Sequence, residues 1–197
     1  MDGAHAFRRA FHLASPLFLG FYLIPERLPA DISRDAVVLL FVGAAACIEL
    51  ARIALGVHLF GMRPYEGNRV SAYAQGTMGL FLALYLVQDP RIVVPVFIGM
   101  AWIDPLSAVA RKRGWPRWLP AGAYGALFLA VEGALGLVLP DPLSWPAVVV
   151  LAALATPAAI LSEGPRIPQV DDDLLMQVVP MALLVPTFWG LQAAGLW

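Results

Sequence analysis

Acidic side chains at two distant places in the chain are well suited to hold a metal ion. Asp104 lies within an apolar segment, and Asp171, Asp172 and Asp173 are consecutive. A carboxylate within an apolar membrane segment costs about 2.5–3.5 kcal/mol near the bilayer centre, so it usually faces a polar cavity or a partner. Adjacent acids repel one another unless a cation is present, although Asp is also favoured in the first helical turn. Because Mg²⁺ takes one or two carboxylates together with substrate phosphates, we expect Asp104 with Asp171 or Asp172 to bind Mg²⁺.

Basic residues shortly after Asp104 are suited to bind phosphate. Arg111, Lys112 and Arg113 follow Asp104 by about two helical turns. Such groups bind phosphate oxygens strongly, but a basic cluster beside an apolar segment is also a common cytoplasmic anchor. Pro105 cannot donate a backbone hydrogen bond, so we expect the helix to be locally broken there. An acid at a broken helix beside these cations is typical of a metal-and-phosphate site.

Two further acids, Glu49 and Glu66, could orient a substrate hydroxyl or accept its proton. Glu49 lies one helical turn before Arg52, so a local ion pair is open to it as well. Arg52 and Arg69 could assist in binding phosphates. The remaining polar candidates at the same end of the predicted helices are Arg8, Arg9, His12, Arg63, Asn68 and Asp173.

Glu132 is a separate candidate, because it lies near the middle of an apolar segment that contains no cation. It could be protonated, or it could be paired across a helix bundle. Gly133 and Gly136 indicate close helix packing around it.

The composition indicates which elements must position these residues. Of 197 residues, 60% are hydrophobic and 14% are charged, whereas soluble domains have about 45–50% apolar and about 25% charged residues. A core of this size cannot hold the excess apolar surface, so the outside must be apolar too, as in a lipid bilayer. The net charge of -1 gives no indication of a nucleic-acid partner. Phosphate-binding loops, kinase Gly-rich loops and nucleophile elbows are missing from the sequence, which excludes a soluble nucleotide-binding fold.

Apolar segments in the sequence are separated by stretches that contain proline, glycine and charged residues. Backbone groups in hydrocarbon must be hydrogen-bonded within their own segment, so these segments are predicted to be helices. We expect an all-α, polytopic bundle of about seven transmembrane helices that forms a single membrane domain over residues 1–197. The predicted segments are 7–24, 34–57, 71–88, 91–110, 118–139, 144–161 and 174–195.

The basic residues predict the orientation of this bundle. With a cytoplasmic N-terminus, ten of the lysines and arginines fall on the cytoplasmic side and three on the outer side, as the positive-inside rule requires. The protein is therefore expected to be a multi-pass protein of the cell membrane whose active face is cytoplasmic. The ten are Arg8, Arg9, Arg52, Arg63, Arg69, Arg111, Lys112, Arg113, Arg117 and Arg166, and the three are Arg27, Arg34 and Arg91.

Five short motifs occur in an order that resembles one enzyme family. They are Arg8-Arg9-x-x-His12, Glu49-Leu50-Ala51-Arg52, the connection RPYEGNRVSAYAQGTMG, Asp104-Pro105-Leu106-Ser107 and Asp171-Asp172-Asp173-Leu174. In this order they are similar to motifs of the dolichol kinase and phytol kinase family, especially its small archaeal and bacterial members. Enzymes of this family are polytopic and phosphorylate isoprenoid alcohols, with CTP as the usual donor.

The sequence also departs from the pattern of this family. Ser107 stands where the family has Ala, Arg111 stands where its first Gly is expected, and Gly114 comes one residue early. A Lys-x-x-Glu-Gly element is missing from the sequence, where Glu132 with the following glycine is the nearest remnant. Asp173 replaces the Asn of an Asp-Asp-Asn motif.

The resemblance implies that the protein transfers a phosphoryl group from CTP to a prenyl or polyprenyl alcohol at the cytoplasmic face. The acids named above would hold Mg²⁺, and the cations would contact the donor phosphates. Two other functions remain open. A CTP-dependent cytidylyltransferase that acts on a lipid phosphate needs the same contacts, and a lipid-binding or transport protein derived from the family would act without catalysis.

Overall fold

The computed structural model of the protein describes residues 3–163, 167 and 169–197. Arg166, which the sequence places among the cytoplasmic basic residues, lies outside the described residues. The α-helices of the described chain are α1 (Gly3–Ala14), α2 (Arg34–Leu55), α3 (Ala72–Phe81), α4 (Pro90–Arg113), α5 (Trp118–Val138), α6 (Trp145–Ser162) and α7 (Asp172–Ala193).

Two of these helices continue in another helical form. A 3-10 helix, Ser15–Leu23, follows α1, and wider π turns, Leu82–Val87, follow α3. The connection between the 3-10 helix that follows α1 and the start of α2 contains the antiparallel strands β1 (Arg27–Leu28) and β2 (Ile32–Ser33), joined through a 3-10 turn. A further 3-10 turn, Pro64–Glu66, lies between α2 and α3.

Among the helices of the described residues, five are long and apolar enough to cross a membrane, namely α2, α4, α5, α6 and α7. The α3 helix with its π turns forms a shorter apolar element. The predicted all-α bundle is therefore confirmed, and the apolar helices identify the chain as a membrane protein. Helices α1 and α3 reach the lengths predicted for them only together with their continuations.

Capping residues explain where α4 and α7 end and begin. Gly114 has φ 69°, a left-handed conformation that ends α4 at Arg113, a few residues beyond the predicted end. The Asp171 carboxylate accepts a hydrogen bond from the backbone N–H of Asp173, so α7 begins earlier than predicted. Both differences extend regular helix into the cluster of charged residues, which makes the positions of those residues more rigid.

Helix α4 runs without interruption through Pro105, so the predicted break at this residue is wrong. Proline removes one backbone donor, and the surrounding bundle compensates for that loss. The α4 helix packs against both α5 and α7, and Val93 and Ala101 on it are fully buried. Asp104 is therefore held on a regular helix at the centre of the bundle.

Two glycines allow close helix packing. At Gly99 of α4 an added Cβ would lie 2.5 Å from the ring of Tyr124 on α5. At Gly79 of α3 an added Cβ would lie 2.7 Å from Gln177 Oε1 on α7. The amide of Gln177 in turn donates to the backbone carbonyl of Asp173 at 2.9 Å, so the packing of α3 on α7 reaches the acidic residues.

Candidate functional site

The carboxylates of α4 and α7 meet beside an imidazole of α1. His12 Nε2 lies 3.8 Å from Asp104 Oδ2, and His12 Nδ1 lies 3.6 Å from Asp173 Oδ2. Ligand atoms of the three residues lie within 4.8 Å of one another. The expected meeting of acids from the fourth and seventh helices is thus observed. The α7 member of this group is Asp173, because Asp171 precedes the helix and its carboxylate caps it.

The chemistry of these side chains fits a divalent cation. Asp171, Asp172 and Asp173 also offer carboxylate oxygens within 4.8 Å of one another. Carboxylate oxygens suit Mg²⁺, whereas an imidazole nitrogen is a more typical ligand of transition metals. Asp104, Asp172 and Asp173 could therefore hold Mg²⁺, and His12 is better suited to orient the carboxylates.

Asp171 is held by contacts within the protein. Its Oδ2 accepts a hydrogen bond from Arg63 Nη1 at 3.2 Å and lies 3.9 Å from Arg8 Nη2. Its backbone N–H donates to Gln75 Oε1 on α3 at 2.7 Å. These contacts fix the start of α7 against α1 and α3 and compensate the charge of Asp171. The two acids that follow it are therefore the better candidates for binding a ligand.

Arg63 keeps its positive charge at this position. Burial would lower the pKa of its guanidinium, but the charge of Asp171 and a hydrogen bond to the Tyr65 hydroxyl outweigh burial and raise that pKa. Arg63 is therefore cationic over the whole physiological pH range.

Glu66 is buried between two arginines. Its Oε1 accepts from Arg8 Nη1 at 3.2 Å, and its Oε2 accepts from the backbone N–H of Arg63 at 3.2 Å. Glu66 thus connects α1 to the segment before α3. Because both carboxylate oxygens are engaged, Glu66 is not available as a proton acceptor in this conformation.

Glu49 and Arg52 form the ion pair that their spacing allows. Arg52 donates from Nη2 to Glu49 Oε1 at 2.7 Å and from Nε to Glu49 Oε2 at 3.0 Å, and both residues are buried. Ser71 adds its backbone N–H at 2.6 Å and its hydroxyl at 3.0 Å to the same carboxylate. Arg52 also donates to the backbone carbonyls of Glu66, Gly67 and Arg69. The pair therefore shapes the connection between α2 and α3 and is saturated by contacts within the protein.

A cavity of about 780 Å³, here called the arginine cavity, opens beside the acids. Asp171 and Asp172 form part of its wall, and Tyr65 and Trp115 contribute aromatic rings. Guanidinium groups bind polyphosphates strongly and specifically, so this cavity suits an anionic ligand. The arginines in its described lining are Arg63, Arg69, Arg111 and Arg117.

The basic cluster at the end of α4 divides into two parts. Arg111 lines the arginine cavity and forms an ion pair with the buried carboxylate of Glu163 at the end of α6. Lys112 and Arg113 are exposed and lie beyond the described lining of the cavity. The Arg113 guanidinium lies 5.3 Å from the centre of the Trp115 ring. Of the predicted phosphate contacts in this cluster, Arg111 is the one that the structure places at the cavity.

A second, smaller pocket of about 90 Å³ lies on the other side of the acids, among α1, α2, α3 and α4. We call it the aromatic pocket. At its polar end are Arg8, His12 and Asp173. Its apolar wall includes the rings of Phe11, Phe18, Phe41, Tyr73 and Phe97.

Other predicted candidates also lie outside the described linings of these two cavities, and Asp104 is among them. Arg9 is half-buried on α1, and Asn68 is exposed in the connection before α3. Glu132 is buried on α5, where it interacts electrostatically with Asp89 and Arg91 at the other end of α4. That end lies about 20 Å along the helix from Asp104. Glu132 is therefore separate from the group of acids around His12.

Some residues of the site were not predicted from the sequence. Gln75 positions Asp171, and Gln177 contacts the backbone of Asp173. Both are buried polar residues in otherwise apolar helices, and this pattern could have identified them. Tyr65 and Glu163 lie in connections, where the sequence offers no comparable signal.

Comparisons with protein-family models, with curated proteins and with solved structures found no match to this chain. The function of the protein is therefore inferred from the geometry of the site and from the sequence motifs.

Proposed function

We propose that this protein transfers the terminal phosphoryl group of CTP to a membrane-embedded isoprenoid alcohol at its cytoplasmic face. The observation that carries the proposal is the position of the acidic run (171–173) between two cavities of opposite character. Asp171 and Asp172 line the arginine cavity, whereas Asp173 lines the aromatic pocket. A charged donor and an apolar acceptor would thus meet at three consecutive residues.

Proximity supports the proposal. Carboxylate oxygens of Asp172 and Asp173 lie within 4.8 Å of each other, and phosphoryl transfer requires the attacking oxygen within about 3–3.5 Å of phosphorus. A triphosphate that reaches Asp172 and an alcohol that reaches Asp173 would therefore approach each other without a large movement of the helices. Catalysis of this reaction depends mainly on positioning and on charge stabilisation, and the site offers groups for both.

The arginine cavity provides a site for the donor. Arg63, Arg69, Arg111 and Arg117 supply positive charge that would stabilise the phosphates. The rings of Tyr65 and Trp115 offer surfaces on which a nucleobase could stack. The choice of CTP among nucleotides comes from the motif resemblance.

The aromatic pocket provides a site for the acceptor. An alcohol bound there would have its hydroxyl near Asp173 and His12, which line the polar end of the pocket. In the proposed step, the alcohol oxygen bonds to the terminal phosphorus, the bond from that phosphorus to the bridging oxygen breaks, and CDP leaves. Asp173 accepts the hydroxyl proton, and His12 orients Asp173 through its Nδ1. These two residues replace Glu49 and Glu66, whose oxygens are engaged elsewhere.

Magnesium fits the same group of acids. We assign Asp104 and Asp172 as its holders, because a carboxylate oxygen of each lies within 4.8 Å of one of Asp173. When bound, Mg²⁺ would neutralise charge on the donor phosphates. The chain itself keeps these acids together through the contacts of Asp171 with Arg63 and Gln75.

The proposal is tested by incubating the purified protein in liposomes with γ-labelled CTP, Mg²⁺ and geranylgeraniol. We expect label in a lipid monophosphate with the wild-type protein and its loss with Asp104→Asn. Asp141→Asn is the matched control, because Asp141 is an exposed acid between α5 and α6. Equal transfer by the wild-type protein and Asp104→Asn would contradict the proposed site, and no transfer by the wild-type protein would contradict the proposed function.

A further inference from the structure

The aromatic pocket is small compared with the volume of an isoprenoid lipid. Its volume is about 90 Å³, whereas a cavity of about 150 Å³ in another protein holds a benzene molecule. By this comparison the pocket encloses about four carbon atoms, which is slightly less than the five of one isoprene unit. A longer chain must leave the pocket.

The pocket opens at the exposed apolar surface of the bundle. Phe18, on the 3-10 continuation of α1, and Phe41, on α2, pack against each other with ring centres 5.4 Å apart. Both rings line the pocket, and both are more than one third exposed on the apolar surface of the bundle. A hydrocarbon chain that starts at Asp173 would therefore pass these rings and continue in lipid.

We propose that the protein recognises only the first isoprene unit of its acceptor and leaves the rest of the chain in the bilayer. This inference rests on the proposed function, since it concerns the specificity of the same site. Recognition of the first unit alone makes the efficiency of transfer independent of the length of the isoprenoid chain. Isoprene units beyond the first contact lipid both before and after the alcohol binds. Binding energy then comes from the branched unit next to the hydroxyl and from the polar end of the pocket.

Gly76 on α3 offers a way to fill the pocket without disturbing the fold. It lines the pocket, and a Cβ added to it would meet no atom within 4 Å. Gly76→Leu should occupy the space of the isoprene unit. The matched control is Gly43→Leu on α2, where an added Cβ also meets no atom within 4 Å and the residue is exposed on the apolar surface.

The experiment has two arms. In the first, kcat/KM is measured for prenyl alcohols with two, four and eleven isoprene units at equal mole fraction in liposomes. We expect values within a factor of three of one another. We also expect Gly76→Leu to raise the KM of all three alcohols at least tenfold, with the KM for CTP unchanged and with Gly43→Leu like the wild-type protein. A kcat/KM that rises with each added unit would overturn the inference.

The second arm measures lipid binding without catalysis. A photoreactive prenyl alcohol, with a diazirine on its first isoprene unit, is crosslinked in the absence of nucleotide, and the modified residues are mapped by mass spectrometry. We expect labels on residues of the aromatic pocket that Gly76→Leu removes. Such labels without phosphoryl transfer would support the acceptor site and contradict the proposed kinase activity. Transfer without labels in the pocket would contradict the inference and leave the kinase activity standing.

Discussion

Asp171 and Asp173 lie two residues apart but have different surroundings. Asp171 contacts Arg63 and caps α7, whereas Asp173 faces His12 and the aromatic pocket. The sequence indicated that this acidic run matters, but it favoured Asp171 and Asp172 as ligands. Which acid faces α4 depends on the rotation of α7, and that rotation is set by packing on α3, α4 and α6, which the sequence does not reveal.

We therefore predict that Asp173→Asn and Asp171→Asn have unequal effects on phosphoryl transfer. Asp173→Asn removes the proposed proton acceptor and should lower kcat by about 100-fold or more. Asp171→Asn keeps a good helix cap and loses the ion pairs with Arg63 and Arg8, so the loss should stay below about tenfold. Steady-state transfer assays on both variants measure the difference. A larger loss of transfer for Asp171→Asn than for Asp173→Asn would contradict the assignment of Asp173 as the proton acceptor.

The ion pair of Glu49 and Arg52 was one of two alternatives that the sequence left open. Its spacing of three residues predicted the pair, and the structure contains it. The three backbone carbonyls that Arg52 also holds belong to an irregular connection, whose course cannot be read from residue types. The structure therefore supports a role for Arg52 in folding rather than in binding phosphate.

We predict that Arg52→Gln destabilises the protein strongly. Removing one partner of a buried ion pair leaves the other charge uncompensated, which costs about 3–5 kcal/mol. The double variant with Glu49→Gln should be more stable than Arg52→Gln alone, because no unpaired charge remains. Thermal unfolding in detergent measures both. Arg27→Gln is the control, because Arg27 pairs with Asp31 at the exposed surface. An Arg52→Gln variant as stable as the wild-type protein, but weak in binding CTP, would assign Arg52 to the donor site instead.

At the scale of the helices, apolar segments predicted the elements well and their ends less well. The predicted break at Pro105 was wrong because the bundle around α4 holds the backbone helical. The ends of α4 and α7 shifted because a glycine and an aspartate act as caps at those positions. Such local signals are visible in the sequence, but their strength relative to tertiary packing is not.

Close packing of α4 on α5 gives a prediction at this scale. Gly99→Ala would place a methyl group against the ring of Tyr124, which is fully buried. Overpacking of this kind costs about 1–3 kcal/mol, so the apparent melting temperature should fall. Gly122→Ala on α5 is the control, because its Cβ would meet no atom within 4 Å and Ala favours the helix. An unchanged melting temperature for Gly99→Ala would show that α4 and α5 separate more easily than the contact implies.

For the whole molecule, the distribution of basic residues predicts that the N-terminus and the acidic group face the cytoplasm. The five long apolar helices in the described part of the chain identify it as a membrane protein, and the orientation is a separate prediction from the positive-inside rule. Cytoplasmic access matters to the proposed reaction, since CTP is a cytosolic solute.

Cysteine labelling in intact cells can test this orientation. In a Cys47→Ser background, which removes the single native cysteine, Lys112→Cys should be protected from a membrane-impermeant maleimide. Asp31→Cys, in the hairpin between α1 and α2, should react with it. The reverse pattern would place the acidic group outside the cell and would contradict a reaction that uses cytosolic CTP.

In the proposed reaction, donor and acceptor meet at the acidic run, and one phosphoryl group moves between them. The most direct measurement compares α-labelled with γ-labelled CTP, using the purified protein in liposomes with Mg²⁺ and geranylgeraniol. We predict that label from the γ position, and not from the α position, enters a lipid monophosphate, and that Asp104→Asn abolishes this transfer. Label from the α position in a lipid product formed from added geranylgeranyl phosphate would indicate cytidylyl transfer. Such a result, or no transfer from either position, would contradict the proposed transfer of the γ-phosphoryl group to the alcohol.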